Sequence, residues 1–293
     1  MQDTENGWPM VAATGLTGMI GRRAKELFPE LGWQPLAVDI TDRAAVEAAV
    51  AKTNAPVIIN LAAFTDVSGA RQQIGDVDGP CYRINVDGVR NLAAACAAAG
   101  KHFVQMSTDY VFEGDRMGPY LETDDGDART DWYGVTKSLA EGVVKQSDGG
   151  WAIARLSFPY QRHSDRKSDL VRRIGEQLRA GALPPMFSDQ IITPTFGDDA
   201  VGILAHLART QSHGVFHAVG PEWISPHQVA TRVAECFGFD ASAILLSSLR
   251  AYADAGGRPF PQQLQMSSTA TRSALNRSTR TLDEALCLPG WAF

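Results

Sequence analysis

Pro9-Met10-Val11-Ala12-Ala13-Thr14-Gly15-Leu16-Thr17-Gly18-Met19-Ile20-Gly21 is the stretch that decides the fold. A short apolar run, Pro9–Ala13, gives way to three glycines, and a helical pattern follows over Met19–Leu31. Glycines at this spacing permit a tight turn, close approach of the backbone to a pyrophosphate, and close packing of helix on strand. The helix N-terminus behind them offers unpaired N–H groups and the positive end of its dipole to phosphate. The stretch therefore reads as a strand–turn–helix dinucleotide site, with Gly15, Thr17, Gly18, Met19 and Ile20 on the cofactor.

The same alternation continues. Leu36-Ala37-Val38 reads as a second strand and Arg43–Ala51 as a second helix. Val57-Ile58-Ile59-Asn60 is an unbroken apolar run of the kind buried on both faces of a parallel sheet. A helix over Val86–Ala99 includes the Ala-rich stretch Leu92–Ala99, which suits close packing. His102–Met106 is a strand, Trp132–Gln146 a helix and Trp151–Leu156 a strand. The expectation is an α/β fold, a doubly wound parallel (Rossmann) sheet with helices on both faces.

After Leu156 the pattern loosens. Tyr160–Lys167 is polar and loop-like, helices follow over Leu170–Arg179 and Asp198–Ala208, and Val215–Ala218 is a short strand. Pro226 opens a helix to Phe237, a position where its missing N–H costs nothing. Gly256, Gly257, Pro259 and Pro261 predict an irregular Tyr252–Leu264. This predicts a dinucleotide-binding domain over 1–158 and a smaller, interleaved substrate lobe over 159–293, with about 189–219 returning to the first domain.

Composition bounds the function. The 293 residues are 44% hydrophobic, enough for a core, which excludes a disordered or collagen-like chain. A net charge of −6 argues against a nucleic-acid partner, which would need a basic surface to displace counterions. Cys81, Cys96, Cys236 and Cys287 are scattered and suggest neither a disulfide framework nor a zinc site. The polar, acidic start Met1–Gly7 is unlike a secretory signal, and no apolar run approaches a membrane span. A cytoplasmic protein with no membrane partner is expected. None of the six histidines, His163 among them, has metal spacing. Asp124, Asp125, Asp127 and Asp131 read as a solvated loop, and Trp223 and Trp291 as half-buried residues of the smaller lobe.

Two further patterns carry chemistry. Asp39 follows the second strand at about the offset expected for a ribose or adenine contact, with Ile40 beside it. Asp42 reads better as the cap of the next helix, and Arg22 and Arg23 as surface residues rather than contacts to a 2′-phosphate. Tyr133-Gly134-Val135-Thr136-Lys137 places a phenol and an ammonium one helical turn apart on one face. A nearby cation lowers a tyrosine pKa, so Tyr133 is expected to be pulled down toward working pH as a general acid or base. Thr108 ends the fourth strand, where ligands bind in open parallel sheets, and can hydrogen-bond the carbonyl that Tyr133 protonates.

In this order the motifs resemble those of an extended short-chain dehydrogenase/reductase, and within it the dTDP-4-dehydrorhamnose reductase family. The matching stretches are Thr14–Gly21, Asp39–Asp42, Asn60–Thr65, Ser107–Gly114, Tyr133–Lys137, Arg155–Ser157, Asp189-Gln190 with Pro194-Thr195, and Arg258-Pro259. The likeness covers about residues 11–220 well and the tail weakly. It implies reduction of a nucleotide-linked 4-keto-6-deoxysugar by NADPH or NADH, with Thr108, Tyr133 and Lys137 as the catalytic set. It implies that Lys137 also holds the nicotinamide ribose, that Leu61, Ala62 and Ala63 line the cofactor cleft, and that Asn85 lies on a neighbouring helix. Asp109, Phe158 and Arg258 become candidates for the sugar-nucleotide side. The chain departs from the family in a shortened segment before Asp39, which leaves NAD against NADP open. It also has Phe158-Pro159 where a tryptophan is frequent, and Asp131-Trp132 without the usual proline. Relatives that bind magnesium carry an acid just after the third glycine, where this chain has Arg23, so no metal is expected. Two other activities share the scaffold. One is a non-catalytic regulatory subunit resembling the beta subunit of methionine adenosyltransferase, and the other a nucleotide-sugar epimerase or dehydratase.

Overall fold

Every residue of β1 (Val11–Thr14) is buried, because the strand lies inside a sheet covered on both faces. The computed structural model describes residues 7–162 and 168–293. Helix α1 (Met19–Leu27) is shorter than the sequence pattern predicts: Pro29 cannot continue it, and Pro29–Leu31 forms a separate 3₁₀ turn. Strand β2 is only Gln34–Pro35 rather than 36–38. Leu36 N still donates to Ala13 O at 2.8 Å, but Val38 N folds back onto Leu36 O at 3.1 Å, which turns the chain away. A proline is tolerated here because β2 is an edge strand.

Helix α2 (Arg43–Lys52) leads to β3 (Val57–Asn60), wholly buried as its apolar run predicts. A short α3 (Val67–Arg71) follows. The next helix begins at Pro80 rather than Val86. It consists of α4 (Pro80–Tyr82), a π turn over Arg83–Asp87, and α5 (Gly88–Ala98). On α5, Ala93, Ala95 and Cys96 are buried. Gly88 packs on Ile40: a Cβ there would come within 2.5 Å of the isoleucine side chain. Then come β4 (His102–Thr108), α6 (Trp132–Lys145) and β5 (Trp151–Leu156).

The later elements are β6 (Pro159–Tyr160), α7 (Leu170–Arg179), β7 (Met186–Phe187), β8 (Thr195–Phe196), α8 (Gly197–Thr210) and β9 (Gly214–His217). They continue with α9 (Pro226–Phe237), β10 (Leu246–Ser247), α10 (Leu249–Asp254), α11 (Thr269–Leu275) and α12 (Leu282–Leu286). Part of the region expected to be irregular is thus the end of α10. Residues 163–167 of the expected polar loop lie outside the described residues.

The central sheet has the order β2-β1-β3-β4-β5-β9, and β2, β1, β3 and β4 run parallel. The α/β, doubly wound reading holds. The chain forms two compact units. The first is 1–113, 123–155 and 201–216; the second is 114–122, 156–200 and 217–293. The first has a core around Val46, Val50, Ile58, Leu92, Phe103 and Ile153. The second is built on α7, α9 and α12, with Ile174, Phe196, Val229, Val233 and Leu286 in its core. No helix among the described residues is long and apolar enough to cross a membrane.

His102 is buried at the start of β4, and its Nε2 has no hydrogen-bond partner. Burial, aided by His213, holds its pKa down at about 4. An unfolded histidine takes a proton near pH 6.5 and the folded one does not, so stability is present above that pH and is lost as pH falls toward the folded value. Urea unfolding should therefore lose about 2–3 kcal/mol from this residue between about pH 7 and pH 4.5, a loss that His102→Leu should abolish.

Candidate active site

The chain leaves β1 toward β2 on one side and returns to β3 on the other, so the carboxyl ends of β1 and β3 form a topological switch point. The glycine turn lies there, and its three glycines do different work. Gly15 has φ +64, and a Cβ on it would lie 2.6 Å from the Leu61 carbonyl carbon and 2.8 Å from Ala62 N. A Cβ on Gly21 would lie 2.6 Å from Leu16 Cα and 2.7 Å from Gly15 O. Both positions are closed by backbone. Gly18 is exposed and extended, and a Cβ there meets only Gly15 O, at 3.3 Å.

Gly18 is also the N-cap of α1, which has no side-chain cap and no acid in its first turn. By contrast α2, α6 and α7 are capped by Asp42, Asp131 and Asp169. The N-terminus of α1 is thus shaped and charged for an anion, and these residues fit a dinucleotide pyrophosphate. Thr17 is exposed at the turn, with Met19 and Ile20 half-buried behind it.

A polar line crosses the strand ends. Thr14 Oγ1 donates to Asn60 Oδ1 at 2.5 Å, and Asn60 Nδ2 donates to Gln105 Oε1 at 2.9 Å. Leu61 N and Ala62 N both donate to Thr14 Oγ1 at 3.2 Å. The loop carrying Leu61, Ala62 and Ala63 is therefore pinned to β1 as well as to its own strand. Asn85, in the π turn, accepts from Phe64 N at 2.9 Å and donates to Thr136 Oγ1 at 3.1 Å, which clips this loop to α6.

Asp39 is exposed, and its Oδ1 accepts from Thr41 N at 2.9 Å and Thr41 Oγ1 at 2.8 Å, bonds that lower its pKa. Asp42 accepts from Ala45 N at 3.0 Å, the cap expected of it. The Ile40 side chain is in the core of the first unit, and its carbonyl accepts from Asn91 Nδ2 at 3.0 Å.

Thr108, Asp109, Tyr133 and Lys137 come together at the end of β4. Asp131 caps α6 through Gly134 N at 3.1 Å. Gly134 lets the first turn of α6 approach the turn after β4: a Cβ there would lie 2.1 Å from Tyr110 O. Tyr133 meets the Tyr110 ring edge-on at 5.8 Å and has the Thr108 hydroxyl as a hydrogen-bond partner. The Thr108 hydroxyl donates to Asp109 Oδ1 at 2.9 Å, and Asp109 is buried. Lys137 Nζ donates to Met106 O at 2.8 Å.

The electrostatics correct one expectation. Lys137 does not pull the Tyr133 phenol down in this structure. Burial pushes it above the ordinary tyrosine range, the Asp109 carboxylate adds to that, and the Thr108 hydroxyl opposes it. The spacing brings a cation near but says nothing of the desolvation. Burial also holds Lys137 down at about 8, against the opposing pull of the Glu141 carboxylate. Tyr133 is therefore a protonated phenol at neutral pH.

Phe158 and Arg258 belong to the second unit. Phe158 has φ +37, uncommon for a bulky residue, and half-buried it packs on that unit's core. The Arg258 guanidinium lies 3.8 Å from the Phe260 ring centre, and its Nη1 is buried without a hydrogen-bond partner. Sequence reasoning did not single out Gly134, Glu141 or the bonds of Asn85. For Glu141 the i+4 spacing from Lys137 was the available signal. Among the described residues no group of three or more His, Cys, Asp or Glu could hold a metal ion.

Comparison with known proteins agrees with this geometry. The family described as RmlD substrate binding domain matches residues 10–287. The chain belongs to this family. Its members are extended short-chain dehydrogenase/reductases, and the fold described above is theirs. The chain is 31% identical over 261 residues to a probable low-salt glycan biosynthesis reductase of Haloferax volcanii, covering 87% of this chain and 84% of that one. It is 31% identical over 271 residues to a dTDP-4-dehydrorhamnose reductase of Mycolicibacterium smegmatis, covering 90% and 79%. Among solved structures, a Bacillus anthracis dTDP-4-dehydrorhamnose reductase in complex with NADP superposes with a TM-score of 0.84 at 25% identity, covering 95% of this chain and 97% of that one.

The unequal glycines give a prediction. Gly18→Val should fold with near-normal stability and lose NADPH and NADH binding, because only the open side is filled. Gly21→Ala should cost about 1–3 kcal/mol of stability, since its Cβ meets backbone. Thermal melts and fluorescence titration with both cofactors check the pair; equal melting behaviour, or intact binding by the Gly18 variant, contradicts this division.

Proposed function

We propose that this chain is an NAD(P)H-dependent reductase of a nucleotide-linked 4-keto-6-deoxysugar, of the dTDP-4-dehydrorhamnose reductase kind. The observation that carries the reading is the meeting of Thr108, a protonated Tyr133 and Lys137 at the carboxyl end of β4, in the unit that holds the glycine turn. The relatives that bear the reductase name support the substrate class. The turn Gly15–Ile20, Asp39, Ile40 through its backbone, and Leu61–Ala63 would hold the dinucleotide, which when bound supplies the hydride. Either NADPH or NADH is compatible with these residues.

Hydride addition to a ketone builds negative charge on oxygen, and that oxygen must gain a proton. Tyr133 holds one, because burial and Asp109 disfavour the phenolate. The Thr108 hydroxyl, turning from Asp109, donates a bond to the same oxygen and orients it. Lys137 lies one turn further along α6, and its ammonium is proposed to favour the phenolate left after proton transfer, a pull that burial and Asp109 outweigh before that transfer. It would also hold the nicotinamide ribose. Asp109, Phe158 and Arg258 are proposed for the sugar-nucleotide side, with the unpartnered Arg258 nitrogen suited to an anionic oxygen. The enzyme is proposed to work in the cytoplasm and without a metal.

Tyr133→Phe keeps the ring and removes only the acid. Positioned general acids contribute about 10²–10⁴-fold, so kcat for 4-keto sugar nucleotides should fall by that order with a smaller change in KM. Steady-state kinetics with NADPH and NADH check this. A kcat near that of the unmodified chain would defeat the assignment and favour the regulatory-subunit reading. A chelator should leave turnover unchanged; activity lost in EDTA and restored by magnesium would show that a metal is required.

A further inference from the structure

Directly behind Lys137 lies a charge cluster that the proton transfer does not use. Glu141 is one helical turn further along α6, 2% exposed, and Arg155 on β5 is fully buried. They form a two-pronged pair: Arg155 Nε donates to Glu141 Oε1 at 2.9 Å and Nη2 to Oε2 at 2.7 Å. Ser107 Oγ donates to Glu141 Oε1 at 2.6 Å. The Arg155 guanidinium also lies 4.8 Å from the Phe112 ring centre. Ser107 is flanked by Met106, whose carbonyl takes the Lys137 ammonium, and by Thr108.

We propose that Glu141 and Arg155 are a positioning pair for Lys137, fixing α6 against β4 and β5 so that the lysine is held, charged, on the Met106 carbonyl one turn along from Tyr133. The proposal rests on the reductase reading for its catalytic consequence. Three observations carry it. The pair bridges the helix that bears Tyr133 and Lys137 to the neighbouring strand β5, and Ser107 adds the strand that bears Thr108. The carboxylate is the nearest opposite charge to the lysine along its own helix. The bidentate geometry fixes the orientation of the helix as well as its distance, which a single bond to lysine in place of Arg155 would not do.

A pair so deeply buried is weak evidence of net stabilisation, because desolvation offsets much of the attraction. Its geometry is therefore better explained by what it holds in place. The groups that face Lys137 are Glu141 on its own helix and the Cys81 thiol from α4. Arg155 stands behind Glu141 from β5, and Asp109 acts on Tyr133 from the turn after β4. Burial alone disfavours the ammonium, and the Glu141 carboxylate favours it. Removing that charge should make the lysine easier to deprotonate, by about one pH unit at the low end of the 1–3 units an adjacent charge supplies.

The test uses the full chain with Glu141→Gln and, since breaking one partner of a buried pair is strongly destabilising, the double variant Glu141→Leu/Arg155→Met, which leaves no charge unpaired. Lys137 is followed by NMR of protein labelled at the lysine side-chain carbons, with Lys137→Met to assign the signal, and kcat and KM are measured against pH. Expected is a titration of Lys137 at lower pH in whichever variant folds, with a loss of kcat that grows as pH rises. Arg155→Lys should restore the charge without the fork, leaving the lysine titration near its original place but kcat below it. A Lys137 titration unmoved in a folded variant, with only the melting temperature lowered, overturns the proposal and leaves the pair structural. The NMR readout does not depend on turnover. Should Tyr133→Phe prove neutral, the reductase reading fails while the lysine titration still decides whether the pair acts on Lys137.

Discussion

Thr14 and Asn60 end two adjacent strands and Gln105 lies level with Asn60 in the third, and the hydrogen bonds that link them hold the carboxyl edge of the sheet in register. Parallel strands diverge into separate loops at this edge, and the residues whose backbone groups are released there, Leu61 and Ala62, are half-buried. Without partners they would cost on the order of 1–3 kcal/mol each. The Thr14 hydroxyl takes two of them, Leu61 N and Ala62 N, and Asn60 shares the second. Three polar side chains thus do for the loops what the sheet ladder does for the strands. The glycine turn, the Leu61–Ala63 loop and the end of β4 keep their mutual spacing through them.

A second constraint is electrostatic. Asp109, Lys137, Glu141 and Arg155 are all at least nine-tenths buried in one unit, two acids and two bases. Buried charges are tolerated when paired and hydrogen-bonded, and here Arg155 and Glu141 pair fully while Lys137 has a carbonyl and Asp109 a hydroxyl. Tyr133 sits at the edge of this group and stays neutral. Its ionisation would add a third negative charge to the buried set, which the Thr108 hydroxyl opposes only in part.

How much of this the sequence disclosed depends on how local each feature is. The strand–turn–helix at Val11–Leu27 and the burial of Val57–Asn60 follow from glycine spacing and an apolar run, and both were legible. The second strand was misplaced because an edge strand of two residues, ending at a proline, carries no alternation to read. The helix starting at Pro80 was missed because Asn85, polar and inward-facing, interrupts the apolar period within a π turn. Among the candidate residues, Thr108, Tyr133 and Lys137 do come together. The direction of the Tyr133 shift was misread, since spacing along a helix reports neighbours but neither the depth of burial nor a carboxylate from another element. Gly134 and Glu141 acquire meaning only with Tyr110 and Arg155 in place, contacts set by the tertiary fold.

The unequal surroundings of the turn glycines bear on how the protein could be re-engineered. Gly15 and Gly21 are walled in by backbone atoms that no rotamer change can move, whereas Gly18, Thr17 and Asp39 face outward. A library aimed at a different nucleotide should therefore spend its diversity on Thr17 and Asp39 and hold all three glycines constant, the walled pair for the fold and Gly18 for the pyrophosphate. The same asymmetry separates two kinds of tolerance: the outward positions can change in what they touch, while the meeting of first strand and first helix admits no added atom.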